Sequence, residues 1–149
     1  GDPYVRLYRQ GYIATSGVVA RRDAVLEAGG FDETLPTAQD FALWLSMLQK
    51  PGTAYQIFPD ALLRYHVTAG SISTYTKRRL DCTLEIARRF YPTLAGRSGW
   101  SLYNLWYRIF AVHYEATRAY LARGHHFLAL GILVRLPINV IKLTFQGSA

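Results

Sequence analysis

Cysteine is almost absent. The 149 residues hold one, Cys82, so no disulfide can close within the chain, which suits a reducing compartment. Methionine is as scarce: the single one is Met47, and the chain opens Gly1-Asp2-Pro3 with no signal-peptide pattern. That opening reads as a piece cut from a longer protein. Acidic residues are few, 10 Asp and Glu against 17 Lys and Arg, a net charge of +7. Such a surface attracts anions: nucleic acid, anionic lipid or a phosphorylated small molecule. No recognised nucleic-acid motif accompanies the charge, which counts against the first. What is plentiful argues against disorder, because half the residues are apolar and 14% are aromatic. The length is enough for one hydrophobic core.

Two regions differ in pattern, 1–74 and 75–149. In the first, residues 12–20 are apolar and β-branched, predicting a strand bulged at Gly17. A short helix follows from Arg22 with Asp23 as its cap, and Gly29-Gly30 ends it. Phe31 is expected in the core. From Asp40, the positions Phe41, Leu43, Trp44, Met47 and Leu48 follow helical spacing until Lys50-Pro51-Gly52. Residues 54–58 and 62–67 are strand candidates around the Pro59-Asp60 turn.

The second region is helical. Leu80, Leu84, Ala87 and Phe90 share one face, and Pro92 ends that run. Leu102, Leu105, Trp106, Ile109, Val112, His113, Ala116 and Tyr120 make the next stripe, with Asn104, Arg108, Glu115 and Arg118 opposite. Residues 127–145 are nearly long enough to span a bilayer. However, Arg135, Asn139, Lys142 and Gln146 form one polar stripe, and Pro137 interrupts the pattern. A Lys or Arg near a helix centre costs about 2.5–3.5 kcal/mol on insertion. The segment therefore reads as an amphipathic helix packed on the domain or lying on a membrane surface, with spanning least favoured.

The most informative stretch is 14–47, ATSGVVARRDAVLEAGGFDETLPTAQDFALWLSM, followed by 58–73, FPDALLRYHVTAGSIS. An Arg-Arg pair is followed by a helix ending Gly-Gly-Phe-Asp. A loop then leads to an acidic residue opening a helix with Leu-Trp-Leu, and a Tyr-containing turn precedes Gly-Ser-Ile-Ser. In order and spacing this resembles the second half of the catalytic domain of family 2 glycosyltransferases, over about 60 residues. The resemblance implies an α/β fold, the C-terminal portion of a GT-A nucleotide-diphospho-sugar transferase, with 1–74 as its acceptor-side half and 75–149 as a helical appendage. It implies inverting transfer of a sugar from a nucleotide-diphosphate donor to a hydroxyl acceptor, glycan or lipid-linked. Cell-envelope polysaccharide synthesis in the cytoplasm, at the inner face of the membrane, fits that class.

Inverting transfer needs a base for the acceptor hydroxyl. Asp40 fills the family's base position, and a carboxylate opening a helix is also a preferred cap, so both roles stand. Gln39 replaces the usual Glu before it and can still hydrogen-bond an acceptor. Trp44, one turn on, either packs in the core or walls the acceptor site. Asp32 is expected to fix the loop leading to Asp40. Many relatives carry Tyr-Arg-x-His where this chain reads Tyr65-His66-Val67-Thr68. A metal role for His66 requires a shifted register. Thr68, Ser71 and Ser73 can meet diphosphate oxygens through hydroxyls and backbone N–H groups. The family's divalent ion, Mg2+ or Mn2+, is held by an Asp-x-Asp motif, which this sequence lacks. The chain alone is therefore expected to be inactive. The processive signature Gln-x-x-Arg-Trp is also missing. Lys77-Arg78-Arg79 and Arg88-Arg89 are either a solvated helix face or a contact for anionic headgroups or a lipid-diphosphate acceptor. The competing reading is a non-catalytic basic helical module that docks a membrane surface or a partner protein.

Overall fold

The structure, a computed structural model, describes residues 1–50, 52–58, 60–64 and 76–146. Its ordered elements there are helical: α1 (Pro3–Gln10), α2 (Arg22–Glu27), α3 (Gln39–Leu48), α4 (Thr76–Phe90), α5 (Ser101–Leu121) and α6 (His126–Gln146). The expected α/β fold is corrected to an all-helical one, since no strand occurs among the described residues. Within 12–20 the chain makes a 3-10 turn at Thr15–Gly17, closed by Gly17 N–H to the Ala14 carbonyl at 2.9 Å. Residues 54–58 and 62–64 are irregular; 65–67 lie outside the described residues. A strand is stable only when its backbone groups pair with a neighbour, and none of these segments has one. Their side chains agree: Tyr55, Ile57, Phe58 and Leu62 are exposed.

α1 is set by its ends. Asp2 caps it, accepting from the Tyr4 N–H at 2.8 Å, and Pro3 occupies the first turn. Gly11 stops it in the left-handed region at φ 57°, its N–H returning to the Leu7 carbonyl. Its buried face carries Tyr4, Val5, Leu7 and Tyr8, and the Tyr8 hydroxyl donates to the Ala87 carbonyl of α4 at 2.7 Å. α2 starts at Arg22 with no side-chain cap, so Asp23 is a first-turn acid rather than the cap. Its end follows the expected pattern: Gly29 N–H bonds the Leu26 carbonyl and Gly30 N–H the Val25 carbonyl, both glycines at positive φ. Phe31 does not turn inward; it is half exposed.

α5 is the central helix and packs on α1, α4 and α6. One buried cluster joins Tyr4, Leu7, Leu45, Ile86, Leu105 and Ile109, so both halves of the sequence share a core. Asn104 and Arg108, expected on the solvent side of α5, are buried against α1. α6 runs without interruption through Pro137. Pro137 and Leu133, whose carbonyl loses its partner N–H, both lie on the exposed side. α6 is fastened by polar ties: Arg135 to Asp81 at 3.1 Å, Asn139 to His113 at 3.1 Å, and Trp106 to Thr144 at 3.0 Å.

The His113 tie depends on protonation. Nδ1 faces the Ile109 carbonyl at 2.7 Å, which can only accept, so Nδ1 carries the proton and Nε2 accepts from Asn139. Burial holds the His113 pKa below its ordinary 6.5, with Arg135 nearby acting the same way and the Ile109 bond and Asp81 opposing. The unfolded chain therefore takes up this proton first. The contribution is intact above pH 6.5 and lost as pH falls through the folded-state pKa. Urea unfolding between about pH 7.5 and about pH 5 should show this acid-side loss, and His113→Gln should flatten it. An equally steep loss in the variant would assign the effect to other groups.

Candidate functional site

The carboxylate that the family resemblance marks as a base falls at the start of α3, and that start is unusual. Its cap residue, Ala38, lies in the left-handed region at φ 62° and ψ 23°, the one non-glycine residue at positive φ among the described residues. Caps are normally extended and polar. A Cβ in this conformation costs about 1–2 kcal/mol, and it persists only where the surroundings dictate it. They do so here. Asp32 accepts from the Thr34 N–H at 3.0 Å and its hydroxyl at 2.6 Å, and Leu35 N–H returns to the Asp32 carbonyl at 3.2 Å. The Gln39 side chain donates back to the Leu35 carbonyl at 2.6 Å. Thr37 is buried, and Phe41 anchors the next turn in the core.

Asp40 follows as the second residue of the helix, partly buried, at the positive end of the peptide dipoles. One carboxylate oxygen accepts from the Phe41 N–H at 2.8 Å, and the other from the Thr15 hydroxyl at 2.5 Å. Asp40 does not cap the helix; it is held as an oriented acceptor. Sequence pattern does not mark Thr15, because it falls inside a predicted strand. Its signal is Ser16-Gly17, a turn dipeptide that breaks the apolar run.

Asp32 is tied across the fold as well as along the loop, to Arg89 of α4 at 2.6 Å. Hydrogen bonds from Thr34, then from Arg89, hold its carboxyl below the usual carboxylate range. It borders a cleft of about 340 Å³ with Gly29, Gly30, Phe31, Ser46 and Arg89. Asp40 is not part of that lining, so the Gly-Gly-Phe-Asp motif and the carboxylate do not share a cavity. Trp44 is buried in the core, its indole N–H meeting no acceptor among the described residues. Of the two roles the sequence leaves open to Trp44, packing in the core is the one its burial fits. His66, Thr68, Ser71 and Ser73 lie outside the described residues.

Compared with family models, curated proteins and solved structures, the chain matches none. The site therefore rests on its own residues. Among the described residues no three His, Cys, Asp or Glu side chains converge on a point. The divalent ion that the resemblance implies has no ligand set among them.

A residue that sequence reasoning assigned to the opposite side of its helix supports the site from below. Arg108 of α5 is buried; its guanidinium donates to the Arg9 carbonyl at 3.2 Å and stacks on Phe41, 4.4 Å from the ring centre. Burial pulls its pKa down to about 10. It fixes Phe41, the neighbour of Asp40, and the Gly11 turn that starts the segment leading to Thr15. The strained cap gives a direct check. Ala38→Gly should raise unfolding stability by about 0.5–1 kcal/mol in urea, the relief exceeding glycine's extra freedom in the unfolded chain. A loss of stability would mean that the Ala38 methyl packs more favourably than its backbone is strained.

Proposed function

We propose that this chain supplies the acceptor side of an inverting glycosyltransferase, with Asp40 as the general base. The observation that carries the reading is the carboxylate at the head of α3, partly exposed, oriented by Thr15 and Phe41 and presented by a strained backbone. Strain of this kind clusters at working sites, and this instance falls at the residue the family resemblance marks as the base.

In the proposed step, Asp40 accepts the proton of an acceptor hydroxyl as that oxygen attacks the anomeric carbon of the donor sugar. The bond from that carbon to the diphosphate oxygen breaks, and the diphosphate leaves with the electron pair. Attack and departure on opposite faces invert the configuration. Each carboxylate oxygen has two lone-pair sites, so the bonds from Phe41 and Thr15 leave capacity for the acceptor. Gln39 adjoins the carboxylate, and its amide is committed to the Leu35 carbonyl; acceptor binding by that amide would exchange this bond. The nucleotide-binding half, with the metal, lies on this reading in residues other than these 149.

The test is made in the enzyme that joins these residues to a nucleotide-binding half. Asp40→Asn should lower kcat by about 10²–10⁴, the contribution of a positioned base, while leaving the thermal transition in place. Turnover near that of the parent, in a variant that folds, would remove Asp40 from the chemistry.

A further inference from the structure

α6 is apolar on two sides, and only one of them is packed against the bundle. Its packed side carries Ala129, Ile132, Leu136 and Leu143 together with the polar ties of Arg135 and Asn139. At about 100° per residue, Phe127, Leu130, Val134, Ile138, Ile141 and Phe145 share the opposite side, and all six are exposed, Phe127 at 91% and Phe145 at 74%. α6 is the one helix among the described residues long and apolar enough to cross a membrane, yet only 17% of its most apolar window is buried. A contiguous apolar surface of this extent marks an interaction site.

α5 adds a second surface to the same hairpin. Trp100, the residue before α5, and Tyr103, Tyr107, Phe110 and Tyr114 on it recur every three or four residues and are exposed, with the Arg9 guanidinium stacked over Tyr103 and Tyr107. Tyr and Trp are the residues that settle at the boundary between headgroups and acyl chains.

Charge selects the occupant. α6 contains no Asp or Glu, while Lys142 lies on it and Arg123, His125 and His126 stand at its start. The lone acid of α5, Glu115, is engaged by Arg79 at 3.5 Å. A second copy would bring the same cations and the same +7 to the contact, whereas an anionic surface complements them. The ties at Arg135, Asn139 and Thr144 fasten α6 lengthwise to the bundle, so it is built to lie in the surface plane with its apolar side down.

We propose that the outward side of α6, with the aromatic side of α5, docks this chain onto the interface of an anionic bilayer. This docking does not rest on the glycosyltransferase reading. The test adds the purified full chain to preformed phosphatidylcholine vesicles, with and without phosphatidylglycerol, and floats them on a density gradient. The chain should float with the anionic vesicles, less with the neutral ones, and the emission of exposed Trp100 should shift to the blue. Val134→Glu/Ile138→Glu, at exposed positions where Glu favours helix, should lower the bound fraction at least about tenfold. Val19→Glu/Leu62→Glu, on exposed apolar residues elsewhere, should leave it unchanged. Circular dichroism and thermal unfolding establish that both variants fold. Failure of the parent chain to float, or equal flotation of the α6 variant, overturns the proposal. So does a concentration-dependent dimer that the α6 variant abolishes without any flotation, which would make a second copy the occupant. Bound protein that resists alkaline carbonate would show a helix that spans instead of docking.

Discussion

Arg108 is a cation taken out of water at the point where α1, α3 and α5 meet. Moving such an ion inside costs several kcal/mol even after relaxation, and no carboxylate contacts it among the described residues. Three features offset the cost. The carbonyl end of α1 presents the negative end of its dipoles, and the Arg9 carbonyl accepts a hydrogen bond. The Phe41 ring face supplies a cation–π contact, worth about 0.5–2 kcal/mol. At Gly11 the chain passes so close that a Cβ would stand 3.0 Å from the guanidinium. A glycine is required there twice over, for its positive φ and for the space.

From that junction the rest of the fold follows. α1 can lie against α5 because Arg108 and Asn104 receive its polar end, Arg9 donating to the Asn104 amide oxygen at 2.7 Å. α3 is fixed because Phe41 lies under the guanidinium, which in turn sets where Asp40 emerges. The segment after Gly11 then carries Thr15 to the Asp40 carboxylate. The candidate base thus stands at the surface end of a buried chain of contacts that begins on α5, while the opposite flank of α5 holds α6. One helix connects the polar site with the apolar face, and the two are otherwise unrelated in chemistry.

Helices with strong periodicity are legible in the amino-acid pattern. α3, α4 and α5 follow their apolar stripes, and the glycine pair after α2 closes it as glycines at positive φ do. α1 escapes a periodicity argument although its end signals are present: Asp2 as cap, Pro3 in the first turn and Gly11 after the last. A helix of eight residues is too short for periodicity to stand out. The strand expected at 12–20 does not form, because an apolar, β-branched run says only that a segment is able to pair. Pairing needs a partner edge, and that is a property of the assembled fold. Pro137 interrupts the apolar pattern, yet the helix continues because the carbonyl it orphans lies on the exposed side.

The sequence by itself determined the helical spacing of the second region, the positive charge, the end of α2 and the prominence of Asp40 at the head of a helix. These are local or additive properties, carried by residues near one another in the chain. Tertiary structure decided the rest. It buried Arg108 and Asn104, which periodicity assigned to solvent, because α1 arrives from nearly a hundred residues away to cover them. It drew Trp44 into the core, brought Thr15 to Asp40 and forced Ala38 into a left-handed cap. It also left the more exposed apolar side of α6 outward, because the packed side combines Ile132, Leu136 and Leu143 with the Arg135 and Asn139 groups that meet Asp81 and His113. A helix's periodicity shows that it has two faces, and its neighbours determine which of them is buried.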